Sequence, residues 1–160
     1  MEITREIAAT DRTAVETLLA ATGFFNDEEL AVAMELVDAR LDEGPESHYR
    51  FLVAKEDGVA VGYACWGVIL GTAASVDLYW IAVHPRCQGK GVGRALLAAA
   101  EAWIAESGRS RVYVETSGRP LYEPTRAFYL ATGYAVAAVL DDFYGPGDGK
   151  YVFLKVLSPR

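Results

Sequence analysis

The stretch HPRCQGKGVGRALL, residues 84–97, limits the possible folds more than any other part of this 160-residue chain. Pro85 ends the apolar run SVDLYWIAV, which predicts a strand, and a helix over residues 91–106 is predicted directly after the glycines. Each glycine costs conformational entropy when it is fixed in a folded chain. Three glycines at every second position, from Gly89 to Gly93, therefore indicate a backbone that a ligand approaches closely.

The charge of this junction favours an anionic ligand. A helix start has unpaired N–H groups and a partial positive charge, so it suits a phosphate or diphosphate. Arg86, Lys90 and Arg94 are present, and no acidic residue occurs between Leu78 and Ala100. The junction is thus a positive region within a chain of net charge −7.

Two well-known phosphate loops do not match. A P-loop needs Ser or Thr after Gly-Lys to hold magnesium, and here Gly91 follows Lys90. A dinucleotide fingerprint needs Gly or Ala in its last place, where this chain has Leu96. A different nucleotide-using enzyme stays open as an alternative.

The order of predicted elements is β-α-α-β-β-β-α-β-α-β-β, without repeats or linkers. A hairpin turns at Glu56-Asp57-Gly58, Pro124 fits the first turn of a later helix, and Gly133 fits its end. Two last strands, AVAAVL and KYVFLKVL, are joined by a predicted loop, DDFYGPGDG. We expect one domain over residues 1–160, an α/β fold of mixed α+β type with helices on both faces of the sheet.

Composition excludes several classes of function. The net charge of −7 argues against a nucleic-acid partner, and the longest apolar runs are too short for a membrane span. Cys65 and Cys87 form neither a metal cluster nor a disulfide framework, so we expect no metal and a cytoplasmic location.

The segment Gln88-x-x-Gly91-x-Gly93 behind IAVHP resembles the coenzyme A pyrophosphate loop of the GNAT acetyltransferase superfamily. The later RAFYLATGY resembles that family's next landmark, a helix ending in Phe-Tyr before a glycine and an aromatic residue. The specific resemblance covers roughly residues 74–140. It implies a largely antiparallel sheet of about seven strands that splays between strands four and five.

The resemblance also implies acetyl-CoA as the acetyl donor. The backbone of Ile81, Ala82 and Val83 would pair with the pantetheine arm. The pyrophosphate would be held by the loop residues Gln88, Gly89, Lys90, Gly91, Val92, Gly93 and Arg94. Thr125, where the family often has Asn, and Phe128 complete the expected donor contacts.

Direct transfer to an amine needs a base and an acid, since an amine with a pKa near ~10 is mostly protonated at neutral pH. Tyr129 matches the family's general acid. Glu115 and Asp77 lie at the two places from which the family draws its base, and either could act directly or through water. His84 and Cys87 are interpreted as structural.

The acceptor is predicted only as a primary amine of a small molecule or peptide. Phe24, Tyr122, Asp141, Phe143 and Tyr144 could line its site, because acidic and aromatic groups suit a cation. A homodimer is one open oligomeric state. The alternative function is a non-catalytic acyl-CoA-binding regulatory domain of the same fold.

Overall fold

The computed structural model describes residues 1–158; the last two residues of the predicted 1–160 domain lie outside this range. The order of strands and helices agrees with the sequence prediction. The strands are β1 (Glu2–Thr4), β2 (Arg50–Glu56), β3 (Val59–Val68), β4 (Ser75–Val83), β5 (Arg111–Ser117), β6 (Ala135–Gly145) and β7 (Asp148–Val156). The helices are α1 (Arg12–Thr22), α2 (Asp27–Glu43), α3 (Val92–Glu106) and α4 (Glu123–Ala131).

Local signals explain where several of these elements begin and end. Asn26 caps α2, with its side chain accepting from the Glu29 N–H while the Glu29 carboxylate accepts from the Asn26 N–H. Gly44 ends α2 at a φ of +67°, which favours glycine. Asp57 and Gly58 both have positive φ, as a two-residue hairpin turn requires.

The chain divides into two compact units, and neither is a continuous stretch. The first contains Met1–Val68 and Tyr79–Trp103, and the second contains Ile69–Leu78 together with the chain from Ile104. Strand β4 therefore contributes its first four residues to the second unit and the rest to the first.

In the first unit, helices cover both faces of the hairpin formed by β2 and β3. Residues of α1 and α2 form a buried cluster with Phe51 and Tyr63 on one face. On the other face, Trp66 contacts Trp103 of α3 edge-on at 5.5 Å. A Cβ on Gly62 would lie 3.1 Å from both the Ala82 carbonyl oxygen and Leu96 Cδ1, so α3 packs closely over this glycine.

In the second unit, β5 pairs antiparallel with β7 along its whole length, and β7 pairs with β6. The start of β4 pairs parallel with β5 from Ser75–Arg111 to Asp77–Tyr113. Helix α4 covers one face, where the Tyr129 ring lies 5.9 Å from Phe153.

The strands follow the hydrogen-bonded order β1-β2-β3-β4-β5-β7-β6, with β4–β5 as the parallel pair. This confirms the predicted mixed, largely antiparallel sheet of seven strands. The register of β4 with β5 ends at Asp77–Tyr113, whereas β4 runs on to Val83 and β5 to Ser117. Pairing over only the first part of both strands agrees with the predicted splay.

One local prediction was wrong. The expected loop over residues 141–149 is mostly strand, because β6 extends to Gly145 and turns directly into β7. Its turn-like composition reflects an irregular register between Leu140 and Gly145, where Asp142 has a φ of +54°.

Candidate active site

The glycine junction forms a short loop between β4 and α3. Gly89 and Gly91 have φ values of +73° and +84°, and a Cβ built on either would meet no atom within 4 Å. The N–H of Ala95 donates to the Gly91 carbonyl at 3.0 Å, so the first helical turn starts at these glycines. Open space above a left-handed backbone at a helix start fits a diphosphate.

Side chains around the loop add positive charge and hold its shape. Arg86, Lys90 and Arg94 are all exposed. His84 stabilises the turn locally, because its Nδ1 accepts from the Arg86 N–H at 3.2 Å. Its own N–H donates to the Val61 carbonyl at 2.8 Å, in agreement with a structural interpretation of His84.

Gln88 ties the loop to the end of β4. Its Nε2 donates to the Val83 carbonyl at 3.0 Å, and its backbone N–H donates to the Pro85 carbonyl at 3.3 Å. The backbone N–H of Gln88 is therefore already paired, and the backbone N–H groups that could bind an anion begin at Gly89. Of the predicted pantetheine-binding residues, Ala82 is buried, and Ile81 and Val83 are half-buried.

The two candidate bases line one cavity of about 280 Å³. Asp77 comes from β4 and Glu115 from β5, and Asp77 is opposite Tyr113 in the parallel register. Side chains two apart on a strand share a face, so Tyr113 and Glu115 both face the cavity. Its lining consists of Ile69, Thr72, Ser75, Asp77, Tyr113, Glu115 and Val152.

The two carboxylates differ in their surroundings. Glu115 is 47% exposed, and its Oε2 accepts from the Lys150 ammonium at 2.8 Å. Asp77 is half-buried. The cavity thus holds two negative groups and a phenol, a set that suits a cation.

Tyr129 lies on the opposite face of the sheet from Glu115. Its ring packs against Phe153, which is opposite Val114 in the β5–β7 register and so shares a face with Val114. Tyr129 also makes edge contacts with Phe128 and Tyr134 at 5.3 Å each, and it is buried. Burial raises the pKa of the Tyr129 phenol above its usual value, because a phenolate would lose its hydration.

Thr125 and Phe128 lie on α4 with Tyr129, and both are half-buried. Phe128 lies edge-on to the Tyr129 ring. The helix thus presents the three predicted residues within two turns.

The predicted acceptor residues are not brought together at the cavity, which other side chains line. Phe24 lies between α1 and α2 in the first unit, and Tyr122 directly precedes α4, with Arg119 Cζ 5.5 Å from the centre of its ring. The other three, Asp141, Phe143 and Tyr144, are exposed on β6. The Phe143 ring already faces a cation, since Lys150 Nζ lies 4.2 Å from its centre.

Four residues near the candidate bases were not predicted from the sequence, namely Thr72, Ser75, Tyr113 and Lys150. Alternation along each strand could have identified Ser75 beside Asp77 and Tyr113 beside Glu115. Lys150 could not be found in this way, because its position depends on the register of β7 against β5, which no local signal fixes.

Among residues 1–158, no cluster of three or more His, Cys, Asp or Glu side chains could hold a metal ion. None of the helices in the described chain is long and apolar enough to cross a membrane.

Sequence comparison matches residues 47–136 to a family model described as "Acetyltransferase (GNAT) domain". A protein of Methanocaldococcus jannaschii, described as an uncharacterized N-acetyltransferase, is 30% identical over 105 residues. That match covers 66% of this chain and 65% of the archaeal protein, so it spans about two thirds of each.

Solved structures similar to this chain also include a member of the GNAT family. A GNAT-family protein from Desulfovibrio desulfuricans has a TM-score of 0.95 at 41% identity, covering 98% of this chain and 99% of that one. An aminoglycoside 6'-N-acetyltransferase complexed with coenzyme A has a TM-score of 0.79 at 18% identity, covering 100% and 99%. At that lower identity, the likeness concerns the fold alone.

Proposed function

Since the chain belongs to the GNAT acetyltransferase superfamily, we propose that it moves an acetyl group from acetyl-CoA directly to a primary amine. The acceptor would be a small molecule or a peptide, bound together with the donor in a ternary complex. The observation that carries this proposal is the arrangement around β5, with Tyr129 on one face and the Asp77–Glu115 cavity on the other.

The loop before α3 is the proposed site for the diphosphate of acetyl-CoA. Backbone N–H groups from Gly89 to Arg94 would bind it, with Arg86, Lys90 and Arg94 supplying positive charge. The backbone from Ile81 to Val83 would align the pantetheine arm. When bound, acetyl-CoA supplies a thioester whose acyl carbon accepts an amine.

The acceptor amine must lose a proton before it can attack, because at neutral pH an amine is mostly an ammonium ion. Glu115 or Asp77 would take that proton, directly or through a water molecule. Tyr129 would donate a proton to the departing sulfur. A positioned acid or base typically contributes roughly 10²–10⁴-fold in rate.

The cavity favours a cationic acceptor. Asp77 and Glu115 would attract an ammonium group, and the Tyr113 ring adds a polarisable surface. We therefore propose an acceptor amine that carries positive charge at neutral pH.

A panel of amines tests the proposal. Purified protein is mixed with acetyl-CoA and one amine at a time, and release of free thiol is measured. The panel pairs cationic amines with neutral amides of similar size. We expect turnover with at least one cationic amine and none with the amides.

Isosteric variants then identify the base. Glu115→Gln and Asp77→Asn each remove one charge and keep the side-chain shape. We expect the variant that lacks the base to lose about 10²-fold or more in kcat, while the other mainly raises the KM of the amine. Binding of acetyl-CoA without turnover of any amine would favour a regulatory acyl-CoA-binding domain instead.

A further inference from the structure

The ammonium group of Lys150 already lies beside the candidate base Glu115, where an acceptor amine is proposed to bind. Lys150 Nζ lies 2.8 Å from Glu115 Oε2 and 4.2 Å from the centre of the Phe143 ring. The Lys150 side chain is only 13% exposed, whereas Glu115 is 47% exposed. A carboxylate and a ring face around one ammonium form an ordered site for an organic cation.

The hairpin of β6 and β7 holds this lysine on the cavity side of the sheet. Glu115 is opposite Val152 in the β5–β7 register, and both residues line the cavity. Lys150 precedes Val152 by two residues, so its side chain leaves the same face. The irregular part of β6 carries Phe143, and the Asp142 carboxylate fixes it by accepting from the Gly147 N–H at 2.8 Å.

A general base must lie within hydrogen-bond reach, roughly 2.6–3.2 Å, of the proton that it removes. The Lys150–Glu115 pair satisfies this distance before any acceptor binds. Resting on the proposed function, we propose that Lys150 is itself an acetyl acceptor and that the protein acetylates its own Lys150 side chain. The site is a modification site as well as a contact of the candidate base.

The step balances as an ordinary transfer. Glu115 accepts one proton from the Lys150 ammonium, and the neutral Nζ forms a bond to the acetyl carbon. The C–S bond of the thioester breaks with its electron pair going to sulfur, which Tyr129 or solvent protonates. One ammonium and one thioester thus give one amide, one thiol and one released proton.

The modification would change the site, because acetylation removes the charge of a lysine. Glu115 would lose the ammonium that now pairs with it, and its carboxylate would become available to an external cation. We therefore expect the acetylated protein to bind cationic amines more tightly than the unmodified protein does. The same change is expected in Lys150→Gln, whose neutral amide resembles the product.

Mass spectrometry tests the proposal directly, since the chain has only four lysines, namely Lys55, Lys90, Lys150 and Lys155. Protein incubated with acetyl-CoA is sampled over time, digested and analysed for acetylation at each lysine. We expect Lys150 to be modified at least tenfold faster than Lys55, which is also paired with a carboxylate, that of Asp11, at 2.8 Å. Acetyl phosphate serves as a chemical acetylating control and should favour the exposed Lys90 instead.

Matched variants separate catalysis from simple reactivity. Glu115→Gln and Tyr129→Phe should each slow acetylation of Lys150 by tenfold or more, whereas Lys55→Arg should leave it unchanged. The first-order rate should stay constant over a tenfold range of protein concentration, because the transfer is internal. Thermal melting without acetyl-CoA shows whether each variant folds. If Glu115→Gln does not fold, Glu115→Asp provides a second test.

Three results would overturn the inference, and a fourth would overturn the proposed function. Acetylation of external amines with Lys150 left unmodified would refute it and leave the proposed function standing. Equal modification by acetyl phosphate, or a rate that rises in proportion to protein concentration, would show a chemical or intermolecular reaction. Failure to bind acetyl-CoA together with no turnover of any amine would overturn the proposed function itself.

Discussion

Tyr129 is the proposed general acid, and its burial suits that role. Its phenol is enclosed by Phe128, Tyr134 and Phe153, and that burial disfavours the phenolate. A raised pKa keeps the phenol protonated throughout the neutral and mildly alkaline range. A proton donor must be in that form at the start of each turnover.

For Tyr129→Phe, we expect kcat to fall by about 10²-fold or more, with little change in acetyl-CoA affinity. The ring contacts are kept, and only the hydroxyl is lost. Below about pH 10, wild-type kcat/KM should not fall through ionisation of Tyr129, because burial keeps the phenol protonated there. Steady-state kinetics over a pH series, with calorimetric binding as the control, measures both quantities. An unchanged kcat would remove Tyr129 from the role of acid.

Tyr63 gives a second prediction at this scale, one that concerns stability. Its side chain is fully buried, and its hydroxyl has no hydrogen-bond partner within the described chain. Burial raises the pKa of its phenol, so the folded state holds this proton more tightly than the unfolded state does. That contribution is fully present below the unfolded value of about 10 and is lost as the pH rises above it.

We therefore expect Tyr63→Phe to be neutral or slightly stabilising at pH 7, within about 1 kcal/mol, because it removes an unpaired buried hydroxyl. Between about pH 9 and 11, the variant should lose less stability than the wild type does. Urea unfolding at a series of pH values measures both effects. The exposed Tyr144→Phe is the control. If Tyr63→Phe loses stability with rising pH as steeply as the wild type does, the raised pKa of Tyr63 is contradicted.

At the scale of elements, the junction of β4 with α3 is the part of the site that a local signal reveals best. A proline ends the strand, glycines with positive φ form the loop, and the helix starts at Val92. Each of these features depends on neighbours in the sequence, so the loop could be predicted. The β6–β7 hairpin is different, because its irregular register and the positive φ of Asp142 depend on pairing with β7. Lys150 and Phe143 meet only through that pairing, and the predicted loop there was wrong.

The junction supports a paired test with two glycines that flank α3. Gly91 precedes the helix at a φ of +84°, and Gly108 follows it at +82°, each with open space around it. Alanine at either position should cost a similar free energy of unfolding, about 1–2 kcal/mol, because both backbones are left-handed.

Only Gly91→Ala should weaken acetyl-CoA binding, by tenfold or more, since its new methyl group would stand where the diphosphate is proposed to lie. Calorimetric titration and urea unfolding of both variants provide the measurements. Equal affinities in Gly91→Ala and Gly108→Ala would show that the loop does not bind the donor.

At the scale of the whole molecule, the sequence predicted the order of all strands and helices but could not predict how contacts divide the chain. The two compact units exchange chain segments at residues 68, 78 and 103, and β4 belongs to both. Neither unit is a continuous stretch, so no shift of composition marks their limits. The cavity shared by Asp77 and Glu115 likewise depends on the parallel pairing of β4 with β5, which joins segments about 36 residues apart.

The net charge of −7 disfavours binding of anionic ligands by the molecule as a whole. A strongly anionic donor must bind against the overall charge, so it depends on the local positive charges at Arg86, Lys90 and Arg94. Any polyanion could use those charges. Under the proposed function, selectivity for coenzyme A over other nucleotides would come from the loop backbone and the strand beside it.

The most direct test of the account is therefore calorimetric titration of the purified protein with acetyl-CoA, with ATP and NAD as controls. We expect acetyl-CoA to bind with a Kd in the micromolar range, about −8 kcal/mol, and ATP and NAD to bind at least tenfold more weakly. Equal binding of all three would mean that the loop is a general anion site. No binding of acetyl-CoA would contradict the proposal that this chain is an acetyltransferase.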